Sequence, residues 1–136
     1  MDVLDHLLEA PGVYWGTGDG IESGKFVGRV EVRPLLNAAS LHYEAFGDSG
    51  LQHVEHALVT RTLTGLSILS VIDTRRESMT FAEAEPGVFR LQSGPDMRIV
   101  IEHSEARCLC YAWWWARPGE DVVERSRLVA RLHKQF

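Results

Sequence analysis

The sequence predicts an all-β fold, a single antiparallel up-and-down β-barrel of about ten strands with a short N-terminal helix. Two observations support this prediction. Short segments along most of the chain alternate apolar and polar side chains, which is the period of a half-buried strand. Turn signals such as Glu85-Pro86-Gly87 and Pro118-Gly119 separate these segments at near-regular intervals. Closure of the sheet would remove the exposed edges of its first and last strands.

The chain opens with a predicted helix and a glycine-rich first strand. The segment from Asp2 to Glu9 carries an apolar stripe at helical spacing, formed by Val3, Leu4, Leu7 and Leu8. Asp2 can cap this helix and Pro11-Gly12 stops it, so we expect the helix to cover one end of the barrel. Val13 to Gly16 is the first strand, and the glycines at 16, 18, 20 and 24 permit a positive φ and a close turn.

A strictly alternating second strand follows, from Phe26 to Arg33, with charged residues on one face. A phosphate-binding glycine loop would require a helix at this place, so the strand argues against such a loop. Pro34 is predicted to break the ladder.

The central part of the chain contains further strand-like segments bounded by turns. They are Leu41–Phe46, Val54–Leu63, Leu66–Asp73, Ser78–Glu85, Val88–Ser93 and Met97–His103.

The last two segments close the predicted barrel. Arg107 to Trp115 has a large-residue face formed by Leu109, Tyr111, Trp113 and Trp115. Val123 to His133 places Leu128, Ala130 and Leu132 on one face and Arg125, Arg127, Val129 and Arg131 on the other. The last segment could also form a helical face through Val122, Val123, Ser126, Val129 and Leu132. We favour a strand, because it would pair with the first strand and close the barrel.

Length and composition are those of one globular domain spanning residues 1–136, with a hydrophobic fraction of 45%. The net charge of −5, with acidic and basic residues interspersed, argues against a nucleic acid or a membrane as a partner. The start of the chain has no basic region and no long apolar run, so we expect no signal peptide. Cys108 and Cys110 are two apart on a strand and predict reduced thiols in a cytoplasmic protein.

Three motifs resemble those of a known superfamily. The short helix, the opening Gly12-Val13-Tyr14-Trp15-Gly16-Thr17-Gly18-Asp19-Gly20 and the ten strands resemble the calycins, which include lipocalins and fatty-acid-binding proteins. The resemblance is strongest to nitrobindin-like haem-binding barrels. His53-Val54-Glu55-His56-Ala57-Leu58-Val59 is similar to their His-x-Glu strand, and Leu128-Val129-Ala130-Arg131-Leu132-His133-Lys134-Gln135 is similar to their C-terminal strand.

The resemblance implies a haem held by a histidine of the last strand. Alignment of the chain endings places Arg127 at that position, and a guanidinium is cationic and has no lone pair for iron. His133 lies six residues further along. The resemblance also implies that Trp15 lies near the closed end of the barrel, beneath a cation supplied by Arg127 or Arg131.

The main functional prediction is an interior site for a small apolar or aromatic molecule. The residues predicted to line it are Phe26, Val30, Tyr43, Phe81, Tyr111, Trp113 and Trp115, with Arg127 available to an anionic head group. The same aromatic side chains could instead fill the barrel. Trp114 is predicted to face outward, either in a homodimer contact or beneath a loop.

An enzyme of isomerase or hydrolase type is the alternative to a binding protein or a haem protein. His42 with Glu44, and His53 with Glu55, share a strand face and could each form a base and its orienting partner. His53 and His56 are three apart on a strand, so they face opposite sides and cannot share one metal ion. The sequence contains no nucleophile-elbow motif.

Overall fold

Ten antiparallel strands form a closed barrel in the computed structural model, which describes residues 1–103, 105 and 107–136. Helix α1 spans Val3–Glu9. The strands are β1 (Gly12–Gly20), β2 (Phe26–Leu35), β3 (Ala38–Gly47), β4 (Gly50–Thr62), β5 (Gly65–Ile72), β6 (Glu77–Glu85), β7 (Val88–Leu91), β8 (Met97–Glu102), β9 (Cys108–Trp115) and β10 (Val123–Gln135). A 3₁₀ turn at Asp73–Arg75 joins β5 to β6.

Each strand pairs with its neighbours in sequence, and β1 pairs with β10 to close the barrel. The predicted up-and-down barrel is therefore confirmed, and it is consistent with a calycin-like architecture. The segment with the ambiguous pattern is a strand, and β10 pairs with β1 on one side and with β9 on the other.

Helix α1 packs against the core at one end of the barrel. The carboxylate of Asp2 accepts a hydrogen bond from the Asp5 backbone N–H at 2.9 Å, and the Asp5 side chain accepts from the Asp2 N–H at 3.0 Å. This reciprocal cap satisfies two of the free amide groups at the helix start. Leu4 and Leu7 are fully buried in the core, and Arg61 of β4 bonds to both capping carboxylates.

No helix among residues 1–103, 105 and 107–136 is long and apolar enough to cross a membrane.

The glycines of β1 serve a different purpose from the predicted one. Gly16, Gly18 and Gly20 lie within an extended strand, and only Gly24 of the four has a positive φ, of 65°. A Cβ at Gly16 would lie 1.8 Å from the Val129 carbonyl oxygen. The absence of a side chain therefore allows β10 to pass close to β1.

Pro34 does not break the ladder, so that prediction is wrong. Strand β2 continues to Leu35, and Pro34 lies opposite Ala39 of β3. On its other side β2 pairs with β1 only as far as Val32, opposite Gly12. Because Pro34 lies beyond this partner, its missing N–H leaves no ladder bond unmade.

The predicted position of Trp15 is also wrong. Its side chain is 39% exposed on the outer face of β1 and stacks on Phe46, with ring centroids 6.5 Å apart. Tyr14 points into the barrel instead, and its hydroxyl donates to the Ala10 carbonyl at 2.7 Å. Successive residues of a strand face opposite sides, so only one of this adjacent pair can point inward. Among the described residues, no cation lies over Trp15.

The two cysteines on β9 are free and buried. Their side chains lie on the face opposite to Leu109 and Tyr111, which belong to the core. Burial is the main cause that raises the pKa of the Cys110 thiol.

Candidate ligand-binding site

A cavity of about 370 Å³ occupies the end of the barrel away from α1. Its rim includes Ser23 of the β1–β2 turn and Arg75 of the 3₁₀ turn. Six of its sixteen lining residues are aromatic or thioether side chains, namely Phe26, Tyr43, Trp113, Trp115, Met79 and Met97. Eight others are polar or charged, and they include Arg75, Glu77 and Arg125. Aromatic surface combined with polar groups that fix orientation is typical of small-molecule sites.

Four of the predicted lining residues line this cavity: Phe26, Tyr43, Trp113 and Trp115. The other three aromatic and aliphatic predictions, Val30, Phe81 and Tyr111, are buried in the core and do not line it. The two predicted alternatives, a ligand pocket and an interior filled by side chains, therefore each describe one end of the barrel. The barrel is filled with side chains towards α1 and is hollow at the other end.

Arg127 does not lie inside the barrel. Its Nε donates to Glu124 at 2.7 Å and its Nη1 to Glu102 at 3.4 Å, on the outer face. The prediction that Arg127 serves a ligand in the interior is therefore corrected.

Arg125 contributes a buried guanidinium to the cavity instead. The pairing of β10 with β9 shifts register between Glu124 and Ser126, and both Arg125 and Ser126 line the cavity. The Arg125 side chain is only 4% exposed. Its Nε donates to the Trp115 carbonyl at 3.0 Å and its Nη2 to Glu120 at 3.3 Å, while Nη1 has no partner among the described residues. A simple alternation placed Arg125 on the outer face, and only the register shift reveals its position.

The carboxylate of Glu55 is fully buried next to the cavity. It accepts hydrogen bonds from the Ser70 hydroxyl at 3.0 Å, from the Trp113 indole N–H at 2.9 Å and from the Tyr111 hydroxyl. Its Oε1 lies 3.0 Å from Nε2 of His53, which lines the cavity. The predicted pairing of His53 with Glu55 is thus present. The contacts of Glu55 with Tyr111 and Trp113 were not predicted, because they join residues 56 and 58 positions apart.

Two tyrosines connect this carboxylate to the cavity wall. The Tyr43 ring makes edge contacts with His53 and Tyr111, with both pairs of centroids 5.4 Å apart. Burial, followed by the nearby Glu55 charge, raises the pKa of Tyr43 and of Tyr111 well above the usual value. The Tyr111 hydroxyl is therefore held in its protonated form, in which it donates to Glu55.

The second predicted histidine–carboxylate pair lies on the outer surface. Nε2 of His42 is 3.5 Å from Glu44, and Nδ1 of His42 is 3.1 Å from Nδ1 of His56. His56 thus faces away from His53, in agreement with the alternation of β4. Within the described part of the chain, no group of three or more His, Cys, Asp or Glu residues is arranged to hold a metal ion.

No protein-family model matches the chain, and no curated protein is significantly similar to it. The cavity and its side chains are therefore the basis for inferring a function.

Proposed function

We propose that the barrel binds a small, flat apolar or aromatic molecule that carries an anionic group. The observation that carries this proposal is the combination of aromatic walls with the buried Arg125 guanidinium on one cavity. The rings of the ligand would pack between Trp113, Trp115 and Phe26. Its anionic group would accept a charge-assisted hydrogen bond from Arg125.

The size of the cavity supports a ligand of one or two rings. Its volume of about 370 Å³ lies at the lower end of the range for small-molecule sites. Burial of roughly 200–300 Å² of apolar ligand surface, at about 25 cal/mol per Å², contributes about 5–7 kcal/mol. A hydrogen bond to a charged group adds about 1.5–3 kcal/mol. After the cost of immobilising the ligand, we expect micromolar affinity.

Haem binding in the nitrobindin manner does not fit the residues present. Arg127 faces outward, and the neighbouring Ser126 and Leu128 offer no histidine. His133 is exposed on β10 and does not line the cavity. Among the described residues, His53 is the one histidine at the cavity, and it lies on β4 and not on the last strand, from which the nitrobindin ligand comes. We therefore retain the resemblance to nitrobindin-like proteins for the barrel fold alone, and we do not propose that this barrel binds haem.

Two matched fluorescent probes test the proposed ligand class. 1-Naphthalenesulfonate carries an anionic group, and naphthalene has the same two rings without it. We expect saturable binding of both, displaceable by a fatty-acid analogue, and tighter binding of the sulfonate. Arg125→Met should weaken sulfonate binding about 10-fold or more, equivalent to about 1.4 kcal/mol, and leave the uncharged probe nearly unaffected.

Arg127→Met is the matched control for Arg125→Met. It removes the same charge from the outer face of the same strand, so sulfonate affinity should stay within about 2-fold of the parent protein. Equal weakening by the two variants would show that the sulfonate responds to overall charge. The absence of saturable, displaceable binding of either probe would contradict the proposal.

A homodimer through Trp114 remains a separate proposal. Trp114 lies between Arg98 and Glu124 on neighbouring strands, and its buried indole N–H has no partner among the described residues. Size-exclusion chromatography of the parent protein and of Trp114→Ala tests it. We expect the mass to fall from twice the chain mass to the chain mass.

A cytoplasmic location is likewise proposed, on the basis of the two free thiols.

A further inference from the structure

We infer that His53 and Glu55 form a proton-transfer pair, with Nδ1 of His53 as the base that deprotonates a carbon acid bound in the cavity. This inference rests on the proposed function, because the reacting molecule would be the flat ligand of the same site. It adds a reaction to what would otherwise be a binding protein.

The position of Glu55 determines which nitrogen of His53 is available. Glu55 lies at 3.0 Å from Nε2, so a neutral His53 places its proton there and keeps its lone pair on Nδ1. Nδ1 has no hydrogen-bond partner among the described residues. It is also not one of the buried polar atoms that lack a partner in this part of the chain, so it is accessible to solvent. The His53 side chain is 26% exposed and lines the cavity. The basic nitrogen is therefore accessible from the site.

Glu55 would also stabilise the charge that develops on His53. When Nδ1 accepts a proton, the imidazole becomes a cation, and the carboxylate bonded to Nε2–H offsets that charge. Ser70, Tyr111 and Trp113 hold both oxygens of Glu55 in place. Glu55 is thus a positioning residue, and His53 is the residue that would contact the substrate.

A purely structural explanation accounts less well for this arrangement. A buried carboxylate loses its hydration, and an apolar residue of similar size often serves stability as well or better. Three donors from β5 and β9 already bond to Glu55 without His53. His53 contacts the Glu55 oxygen that already accepts from Trp113, so the carboxylate does not need it as a donor, and the histidine lies at the cavity. A histidine placed in this way is the pattern of a base and its orienting carboxylate.

The reaction class follows from the groups around the base. A proton leaves carbon for Nδ1, and the C–H electron pair forms a new π bond towards an acceptor such as a carbonyl oxygen. The guanidinium of Arg125 on the same cavity can stabilise the resulting anion. Return of the proton from Nδ1 to another carbon yields an isomer, with no net oxidation and no added reactant.

5-Nitrobenzisoxazole is a suitable probe, because it is flat, aromatic and a carbon acid. Removal of its ring C–H proton forms a nitrile as the N–O bond breaks, and the coloured 2-cyano-4-nitrophenolate is released. We expect turnover above the buffer rate, following a basic group in the pH–rate profile. His53→Gln should lower kcat/KM about 10²-fold or more.

Two variants separate the roles of the pair. Glu55→Gln should lower kcat with little change in KM, because the neutral amide no longer stabilises the imidazolium that forms during the reaction. His42→Gln, which alters the outer histidine–carboxylate pair, should leave kcat/KM unchanged. His53→Ala should be inactive and should regain turnover when imidazole is added.

Binding and reaction are measured separately so that the two proposals can fail independently. 5-Nitrobenzotriazole has a similar shape but no N–O bond to break, and its binding can be followed by quenching of tryptophan fluorescence. Binding without turnover, or turnover that survives His53→Ala and gains nothing from imidazole, would overturn the inference and leave the binding function standing. Failure of this analogue and of the naphthalene probes to bind would overturn both.

Discussion

At the scale of single residues, Glu55 determines how the middle of the barrel is built. Its carboxylate accepts hydrogen bonds from Ser70 on β5 and from Tyr111 and Trp113 on β9. Strands β4 and β9 are not neighbours in the sheet, so these bonds cross the interior. The members of such a network depend on one another, because removal of one leaves the others buried without partners.

Replacement of Glu55 by Ala should therefore destabilise the protein strongly. We expect a loss of about 3–5 kcal/mol in the free energy of unfolding, since three donors lose their acceptor and a cavity forms. Glu44→Ala on the outer face of the adjacent strand should cost less than about 1 kcal/mol. Urea unfolding of both variants measures the difference, and similar losses would contradict the central role of Glu55.

His103 lies at the end of the barrel covered by α1, and its titration should affect the stability of the protein. Its ring stacks on His6 with centroids 4.9 Å apart, and its buried Nε2 has no hydrogen-bond partner within the described residues. Burial, with a smaller effect of His6, lowers the pKa of His103 to about 4. The folded protein therefore favours the neutral ring.

The expected pH dependence follows from this lowered pKa. The stabilisation is complete above the ordinary histidine pKa of about 6.5 and is lost as pH falls towards about 4, because the unfolded chain binds the proton first. The slope attributable to His103 is at most about 1.4 kcal/mol per pH unit, and partial exposure of the ring reduces it. His103→Phe should flatten the dependence between pH 7 and pH 5, measured by urea unfolding.

His56→Phe on the exposed face of β4 is the control for His103→Phe. It removes another imidazole, one that lies on the outer surface and not at the end of the core. If the parent protein and the His103 variant lose stability equally between pH 7 and pH 5, the assigned role of His103 is wrong.

At the scale of elements, the close approach of β1 and β10 depends on glycine. Gly16 lies opposite Ala130, and the backbone of Val129 and Ala130 occupies the place of its missing side chain. The backbone cannot move aside as a flexible side chain can, so an added methyl group would force the strands apart.

Gly16→Ala should consequently weaken barrel closure. We expect a loss of about 2–3 kcal/mol in the free energy of unfolding, which is the upper part of the range for overpacked sites. Thr17→Ala changes the next residue of β1, on its outer face, and should cost less than about 1 kcal/mol. Thermal unfolding compares the two variants. A Gly16→Ala protein as stable as the parent would show that β10 can shift outward.

The register shift in β10 changes which side chains of this strand face the interior. Between Leu128 and Ala130 the alternation is regular, and both side chains are fully buried. Beyond the shift between Glu124 and Ser126, Arg125 joins the cavity. Extra residues in a strand re-aim side chains at barrel rims. The Arg125 guanidinium therefore reaches the site through a local irregularity of the last strand.

At the scale of the whole molecule, closure brings the first and last strands together. Strand β10 supplies hydrogen bonds to both β1 and β9. Its loss would expose two long unpaired edges and the apolar interior, and such edges promote association between chains.

A chain that ends at residue 122 should therefore fail to form the monomeric barrel. We expect aggregation in size-exclusion chromatography, with loss of probe binding. A chain that lacks only residues 135 and 136 retains most of the β1–β10 register and should behave like the parent protein. A monomeric, probe-binding chain of residues 1–122 would contradict the importance of closure.

The alternation of apolar and polar residues was enough to predict the fold class and most of the strands. The period-two pattern was sufficient because the barrel has one interior face, so each regular strand must present its apolar side chains to it. The segment Leu41–Phe46, for example, lies within β3, and Leu41, Tyr43 and Ala45 are buried as its pattern indicates.

The sequence pattern found four of the lining residues, but the other members of the site depend on how the barrel closes. The pattern could not choose Tyr14 over Trp15, because both are aromatic and the choice depends on where the alternation of β1 begins. It could not place Arg125 inside, because one register shift reverses the faces of a strand. It could not bring Glu55 to Tyr111 and Trp113, because that contact depends on how non-neighbouring strands face each other across a closed sheet.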